Sequence, residues 1–101
     1  MNFLTLGLPI GKMFNYPNPF NPTQQQTNIV FSVNTPQTVK VKIYSEYGDL
    51  LRTLETSASA GTNELKFDGR DKNGKLLYNG SYIAVIARAE GAAKCYILII
   101  K

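Results

Sequence analysis

The residues best suited to chemistry lie in one short stretch, Asp68-Gly69-Arg70-Asp71-Lys72-Asn73-Gly74. Aspartate and asparagine oxygens are ligands that Ca²⁺ prefers, and calcium loops of the EF-hand type carry a glycine at their sixth position. With Gly74 in that place, both the first ligand position and the final glutamate position fall on glycines. The stretch therefore favours a hairpin loop held by Asx-type hydrogen bonds, and both Asp68-Gly69 and Asn73-Gly74 suit tight hairpin turns. Weak calcium binding through Asp68 and Asp71 is the open alternative.

The other candidate catalytic groups are sparse. The chain contains no histidine, which removes the commonest general base and the commonest transition-metal ligand. Its single cysteine, Cys95, lies in an apolar run and is expected to be a buried thiol. The acidic residues are scattered over turns and form no pair suited to glycoside hydrolysis, and Gly80-Ser81 lacks a serine hydrolase elbow. The sequence predicts a protein that is not an enzyme and binds no cofactor.

Charge and hydropathy exclude two further classes of partner. The formal net charge of +4 is spread over lysines and arginines that alternate with acids, so no nucleic-acid partner is predicted. No apolar stretch is long enough to cross a bilayer, so membrane insertion is not predicted either. Residues 1–13 lack the basic start and the cleavage site of a signal peptide. We interpret them as a linker, the tail of a preceding region, or a first strand.

Aromatic side chains raise one ligand-binding alternative. A row of exposed tyrosines on a sheet face would bind sugar rings, as in carbohydrate-binding modules. Aromatics also fill small cores and pair across strands, and the absence of tryptophan makes a glycan the weaker interpretation. The aromatics concerned are Tyr16, Phe20, Tyr44, Tyr47, Tyr78, Tyr82 and Tyr96.

Alternation of apolar and polar residues indicates strands throughout, and no window has helical periodicity. In the clearest case, Val39, Val41 and Ile43 share one face and lysines the other. With turn signals about every eight to twelve residues, the pattern predicts an all-β, Ig-like or fibronectin-like antiparallel β-sandwich of about seven short strands. The final strand is apolar on both faces, which suits a strand covered on both sides or docked on a neighbour. The predicted strands are Thr27–Val33, Thr38–Tyr44, Leu50–Thr56, Thr62–Phe67, Ser81–Ala89 and Lys94–Lys101.

A proline-rich octapeptide, Asn15-Tyr16-Pro17-Asn18-Pro19-Phe20-Asn21-Pro22, precedes these strands. Proline lacks a backbone N–H and favours extended geometry in the residue before it. The octapeptide is therefore predicted to be a stiff, extended segment anchored by two aromatics. Residues 17–22 would act as a rigid lead-in that fixes the module against its neighbour.

The order of these segments over residues 14–101 resembles a bacterial domain family. The octapeptide is followed by an Ile-x-Phe-x-Val strand, a Phe-Asp-Gly-Arg-Asp loop, an Asn-Gly-Ser-Tyr strand start and a closing strand that ends in lysine. This resembles the type A C-terminal sorting domain of the type IX secretion system, and equally the related Ig-like domain of flagellar hook-capping (FlgD-type) proteins. The motif positions are Pro17, Asn18, Pro19, Phe20, Gly48, Asp68, Gly69, Gly80, Tyr82, Lys94 and Lys101.

The resemblance implies a non-catalytic module of a secreted or cell-surface bacterial protein that is exported via the periplasm. As a sorting domain it would be a sorting and anchoring signal for export across the outer membrane. Its partners would be proteins, either secretion machinery or a neighbouring domain of the parent protein. As a hook-capping-type domain it would instead be an Ig-like spacer or assembly domain. A sandwich with unpaired edges is suited to strand addition or to docking through its apolar terminal strand.

Overall fold

Strands and turns build the part of the chain that the structure, a computed structural model, describes: residues 12–101. The interpretation of residues 1–11 lies outside the described residues. No helix occurs within residues 12–101, and hence none there could span a membrane. The strands are β1 (Met13–Tyr16), β2 (Thr27–Val33), β3 (Gln37–Ser45), β4 (Leu50–Ala58), β5 (Gly61–Phe67), β6 (Gly80–Ala87) and β7 (Ala93–Ile99).

The strands form two antiparallel sheets that face each other. One has the order β1-β2-β5, and the other has the order β4-β3-β6-β7. β4 pairs with β3, whereas constant-type Ig domains keep their fourth strand on the sheet of the first, second and fifth. The predicted all-β, Ig-like or fibronectin-like sandwich is confirmed.

Burial follows the alternation that the sequence predicts. In β3, Val39, Val41 and Ile43 are buried, and the two lysines between them are exposed. β2 differs because Val30 is as inaccessible as its inward neighbours, so this central strand is buried on both faces. The largest core side chains that point between the sheets are those of Phe20, Ile29, Phe31, Ile43, Phe67, Ile86, Ile97 and Ile99.

The octapeptide is bent, so the prediction of a continuously extended segment was wrong. Its first two residues belong to β1, where Met13 at the start of the strand pairs with Phe31. Residues 17–19 then bend, with cis peptide bonds before Pro17 and Pro19, and Phe20 pairs with β7. The physical reason is that the chain must leave the three-stranded sheet to reach the edge of the other sheet.

The turn-rich stretch between β5 and β6, residues 68–79, leaves the sheets as a small loop that we call the excursion. The N–H of Leu77 donates to the carbonyl of Gly69 (2.9 Å), and the N–H of Asp71 donates to that of Lys75 (2.8 Å). Only Asn73-Gly74 forms a tight turn, at the tip of this excursion. The prediction of a second hairpin turn at Asp68-Gly69 was wrong, because those residues lie where the chain leaves β5.

Candidate interaction surface

Residues 18–20, here called the clasp, lie along the outer edge of β7. The N–H of Phe20 donates to the carbonyl of Leu98 (3.0 Å), and the N–H of Ile100 donates to the carbonyl of Phe20 (3.1 Å). The pairing is parallel and centred on Ile99. The Phe20 ring is buried and meets that of Phe67 edge-on, with 6.3 Å between centroids. Backbone bonds and one buried aromatic thus fix the clasp to the sheet.

Asn18 uses its side chain where a strand would use its backbone. Its Nδ2 donates to the carbonyl of Tyr96 (2.9 Å), and its Oδ1 accepts from the N–H of Leu98 (2.9 Å). The same Nδ2 also lies 3.2 Å from Oδ1 of Asn15. Because Pro17 and Pro19 on either side have no N–H, the asparagine amide supplies the donor that the proline backbone lacks. The edge of β7 is therefore occupied here, and strand addition is blocked along this part of it.

Replacement of Asn18 by alanine is expected to destabilise the domain by about 1–3 kcal/mol, because two backbone groups of β7 lose their partner. The amide of Leu98 should then exchange faster with solvent, as measured by hydrogen–deuterium exchange NMR. Asn18→Asp is the matched control, because it keeps the acceptor for the Leu98 N–H but loses the donor to Tyr96. Unchanged Leu98 exchange in Asn18→Ala would contradict this role.

Gly69 packs against Pro22 and Phe20 of the proline-rich octapeptide, here also called the proline segment. Its φ is +75°, and a Cβ placed there would stand 2.5 Å from Cβ of Pro22 and 3.3 Å from Cζ of Phe20. Glycine is required by the backbone conformation and by the close approach together. Gly69 and the clasp thus pack against each other, although they are far apart in the sequence.

The aspartates of the excursion are engaged by neighbouring donors. Asp68 Oδ1 lies 3.0 Å from the Arg52 guanidinium, and Asp71 Oδ1 accepts from the backbone N–H groups of Asn73 and Lys75 (2.9 Å each). The predicted Asx-type hydrogen bonds are confirmed. Within residues 12–101 no three His, Cys, Asp or Glu side chains come together to hold a metal ion. Weak calcium binding through Asp68 and Asp71 stays a prediction, and no preformed metal site within residues 12–101 supports it.

An open cleft of about 350 Å³ lies beside the start of β6. At its base the hydroxyl of Tyr82 donates to the carbonyl of Tyr78 (2.6 Å), which is the tyrosine corner of Ig-like sandwiches. Burial raises the pKa of Tyr82, and the nearby Glu46 carboxylate adds to the rise. Nζ of Lys75 and of Lys101 lie 5.4 and 5.8 Å from the ring centroid of Tyr78. The tyrosine corner accounts for Tyr82 as a structural residue.

Over β6 and β7, the outward side of the four-stranded sheet is unexpectedly apolar. Its β6 and β7 side chains alternate with the buried ones, so Ile83 and Val85 point away from the core together with Tyr96 and Leu98. Tyr96 is 58% exposed. We call this surface the basic-apolar face, and its side chains are Lys42, Tyr44, Ile83, Val85, Lys94, Tyr96 and Leu98.

The predicted motif residues do not form one site. The clasp packs on Gly69, with Asp68 beside it, while Gly80 and Tyr82 lie at the start of β6 near Lys101. Two motif positions stand apart from both groups: Gly48 (φ +90°) forms the turn between β3 and β4, and Lys94 lies on the basic-apolar face. Most motif positions therefore hold the fold together, and only Lys94 belongs to a broad exposed surface.

Comparison with known families decides the assignment. The model of the FlgD Ig-like domain matches residues 18–91, which is most of the chain. The chain belongs to the FlgD Ig-like domain family. Comparison with curated proteins found no match.

Three solved structures place this FlgD Ig-like domain among its neighbours in fold. PorZ of Porphyromonas gingivalis, an essential surface component of the type IX secretion system, matches with TM-score 0.64 and 22% identity over 88% of this chain and 11% of PorZ. FlgD of P. aeruginosa matches with TM-score 0.61 and 15% identity over 86% of this chain and 70% of FlgD. FlgD of Xanthomonas campestris, whose structure is described in terms of the hook capping essential for flagellar assembly, matches with TM-score 0.57 and 22% identity over 86% of this chain and 66% of FlgD. At these identities the likeness establishes the fold.

Most of the basic-apolar face was not predicted from the sequence. The final strand was predicted to be apolar on both sides, but Ile83 and Val85 of the neighbouring β6 were not predicted to extend that surface. The available signal was the unbroken apolar run from Tyr82 to Ile86. An antiparallel strand that faces solvent on one side normally alternates instead.

Cys95 is buried, as the sequence predicted. The stability of this FlgD Ig-like domain should therefore depend on pH through this thiol. Burial raises its pKa from 9.0 to about 11. The folded state therefore holds the thiol proton more tightly, and this stability is fully present below pH 9 and lost as the pH rises to about 11. Urea denaturation at several pH values should show the loss in the native chain and less of it in Cys95→Ala. Iodoacetamide should label the native thiol at pH 8 far more slowly than the unfolded one; equal rates would refute this assignment.

Proposed function

We propose that this FlgD Ig-like domain is a non-catalytic sorting and anchoring module that directs its parent protein across the outer membrane. The proposed module comprises residues 14–101 together with Met13. The observation that supports this proposal most is that β7 has a fixed edge and an exposed outward face. The clasp fixes the outer edge of this strand, while its outward side chains, Tyr96 among them, stay exposed. A receptor would then recognise a folded surface, and the terminal strand would present that surface in one defined position.

The structures of similar fold support an extracytoplasmic location for the proposed module. PorZ is a surface component of the type IX secretion system and carries a domain of this fold within a much longer chain. An extracytoplasmic module that binds other proteins fits both PorZ and the FlgD neighbours. Secretion machinery, or a neighbouring domain of the parent protein, is the partner that follows from this setting.

A secretion assay tests the proposal. The full chain is fused behind a periplasm-targeted fluorescent protein in a host with a working type IX system. The controls are the reporter alone and a fusion truncated after Gly91, which removes β7 and its core side chains. We expect the reporter on the cell surface or in the medium only with the intact domain. Retention of the intact fusion in the periplasm, with the domain folded, would rule out sorting in this system.

The second candidate is an Ig-like spacer or assembly domain, favoured by the family match over residues 18–91. FlgD of Xanthomonas campestris, which this chain covers to 66%, is linked to the hook capping that is essential for flagellar assembly. This function requires contact with neighbouring subunits and no sorting signal in the domain. Retention in the periplasm together with defined protein contacts would therefore favour it over sorting.

A carbohydrate-binding function has the least support. It requires exposed tyrosines in a row on one sheet face, but within residues 12–101 only Tyr44 and Tyr96 share the outer face of the four-stranded sheet. Ile83 lies between them in the register, so the two tyrosines stand about 9–10 Å apart. Tyr47 and Tyr78 lie at the cleft instead.

A further inference from the structure

We infer that the basic-apolar face docks an acidic protein surface, an inference that rests on the proposed protein-contact function and names the chemistry of the partner. The face is built by three adjacent strands, β3, β6 and β7, whose register is continuous. It is a feature of the folded sheet, and none of its side chains belongs to the clasp or lines the cleft.

Register places the apolar side chains of the face next to one another. Tyr44 of β3 lies opposite Ile83 of β6, which lies opposite Tyr96 of β7. Leu98 extends the same surface toward the end of β7. An antiparallel sheet with one open side normally turns polar residues to solvent. Contiguous apolar side chains on that side are typical of protein interaction sites.

The adjacent row carries unpaired positive charge. Lys42 and Lys94 lie on either side of Val85 in the register. Neither forms an ion pair within residues 12–101, whereas Lys40 farther along β3 lies 3.9 Å from Glu55. Nζ of Lys94 lies 5.9 Å from the ring centroid of Tyr96, within the face itself. Two ammonium groups that have no carboxylate partner within residues 12–101, beside an apolar patch, complement a surface that combines carboxylates with aliphatic side chains.

The same charges argue against two other occupants. A second copy of the domain in a two-fold dimer would bring this face against itself, which would gather Lys42 and Lys94 of both copies in one interface with no carboxylate of the face to neutralise them. Recognition of anionic lipid headgroups uses clusters of about four to eight basic residues, and the two lysines of the face fall short of that. An acidic protein partner is the occupant that satisfies both the charge and the apolar area.

Site-specific photo-crosslinking tests the inference in the host of the secretion assay. The photoreactive amino acid p-benzoylphenylalanine replaces Tyr96 on the face or, as a control, Tyr47, which is 85% exposed in the turn between β3 and β4. The crosslinked segment is identified by mass spectrometry. Lys42→Glu and Lys94→Glu are compared with Lys66→Glu, which makes the same charge change on the exposed side of β5. Circular dichroism verifies that each variant folds.

We expect position 96 to give an adduct with a segment rich in acidic and aliphatic residues. Lys42→Glu and Lys94→Glu should reduce its yield about tenfold, because like charges would then oppose each other, and Lys66→Glu should not. Equal adducts from position 47, adducts with lipid or a second copy, or indifference to the two charge reversals would each overturn the inference. Export without the adduct refutes the docking face and leaves sorting intact, whereas the adduct without export refutes sorting and leaves the face intact.

Discussion

Replacement of Gly69 by alanine is expected to destabilise the domain by about 2–6 kcal/mol, a large share of the stability of a small domain. Two effects combine. An alanine forced to the φ of +75° is strained by about 1–3 kcal/mol. Its Cβ would also stand 2.5 Å from Cβ of Pro22, and such overpacking costs a further 1–3 kcal/mol or so. Because a proline ring is rigid, the clash cannot be relieved by a rotamer change.

Urea denaturation measures this effect, and Gly74→Ala is the matched control. Gly74 has nearly the same φ, +81°, but nothing lies within 4 Å of its added Cβ. Gly74→Ala should therefore show the conformational strain alone. The difference between the two variants isolates the contact of Gly69 with the proline segment, and equal destabilisation would mean that this contact is unimportant.

Replacement of Phe20 by alanine is expected to cost about 3–5 kcal/mol, because a fully buried aromatic is lost from the core. It should also release the clasp from the edge of β7. In hydrogen–deuterium exchange, the amides of Leu98 and Ile100, which bond to the clasp, should lose protection first.

Phe20→Leu is the control for this variant, because it keeps most of the apolar volume and should cost less than about 1.5 kcal/mol. Its Leu98 and Ile100 amides should stay protected. If Phe20→Ala destabilised the domain while these two amides kept their native protection, the clasp would not depend on the burial of Phe20.

Local patterns predicted much of the fold. The alternation in β3 placed Val39, Val41 and Ile43 inward, and burial agrees. Asn73-Gly74 was placed in a tight turn and Cys95 in the core, as observed. These predictions succeeded because side-chain alternation and turn chemistry depend on a few neighbouring residues.

The basic-apolar face was harder to predict than the core. The apolar outward side of β7 was visible in the sequence, but its continuation over Ile83 to Tyr44 depends on which strands pair and in what register. A one-residue shift in register would turn the opposite side chains outward. No local signal within β3, β6 or β7 specifies that alignment.

By itself, the sequence determined that this is an all-β domain and that its proline segment cannot lie within a central strand. Only the tertiary structure decided what that segment does. Asn18 and Phe20 bind the strand that ends the domain, with about 80 residues between the partners of the Asn18–Leu98 bond. Alternation and turn signals act over a few residues, whereas the pairing of an edge is decided by which backbone groups the folded sheets leave open.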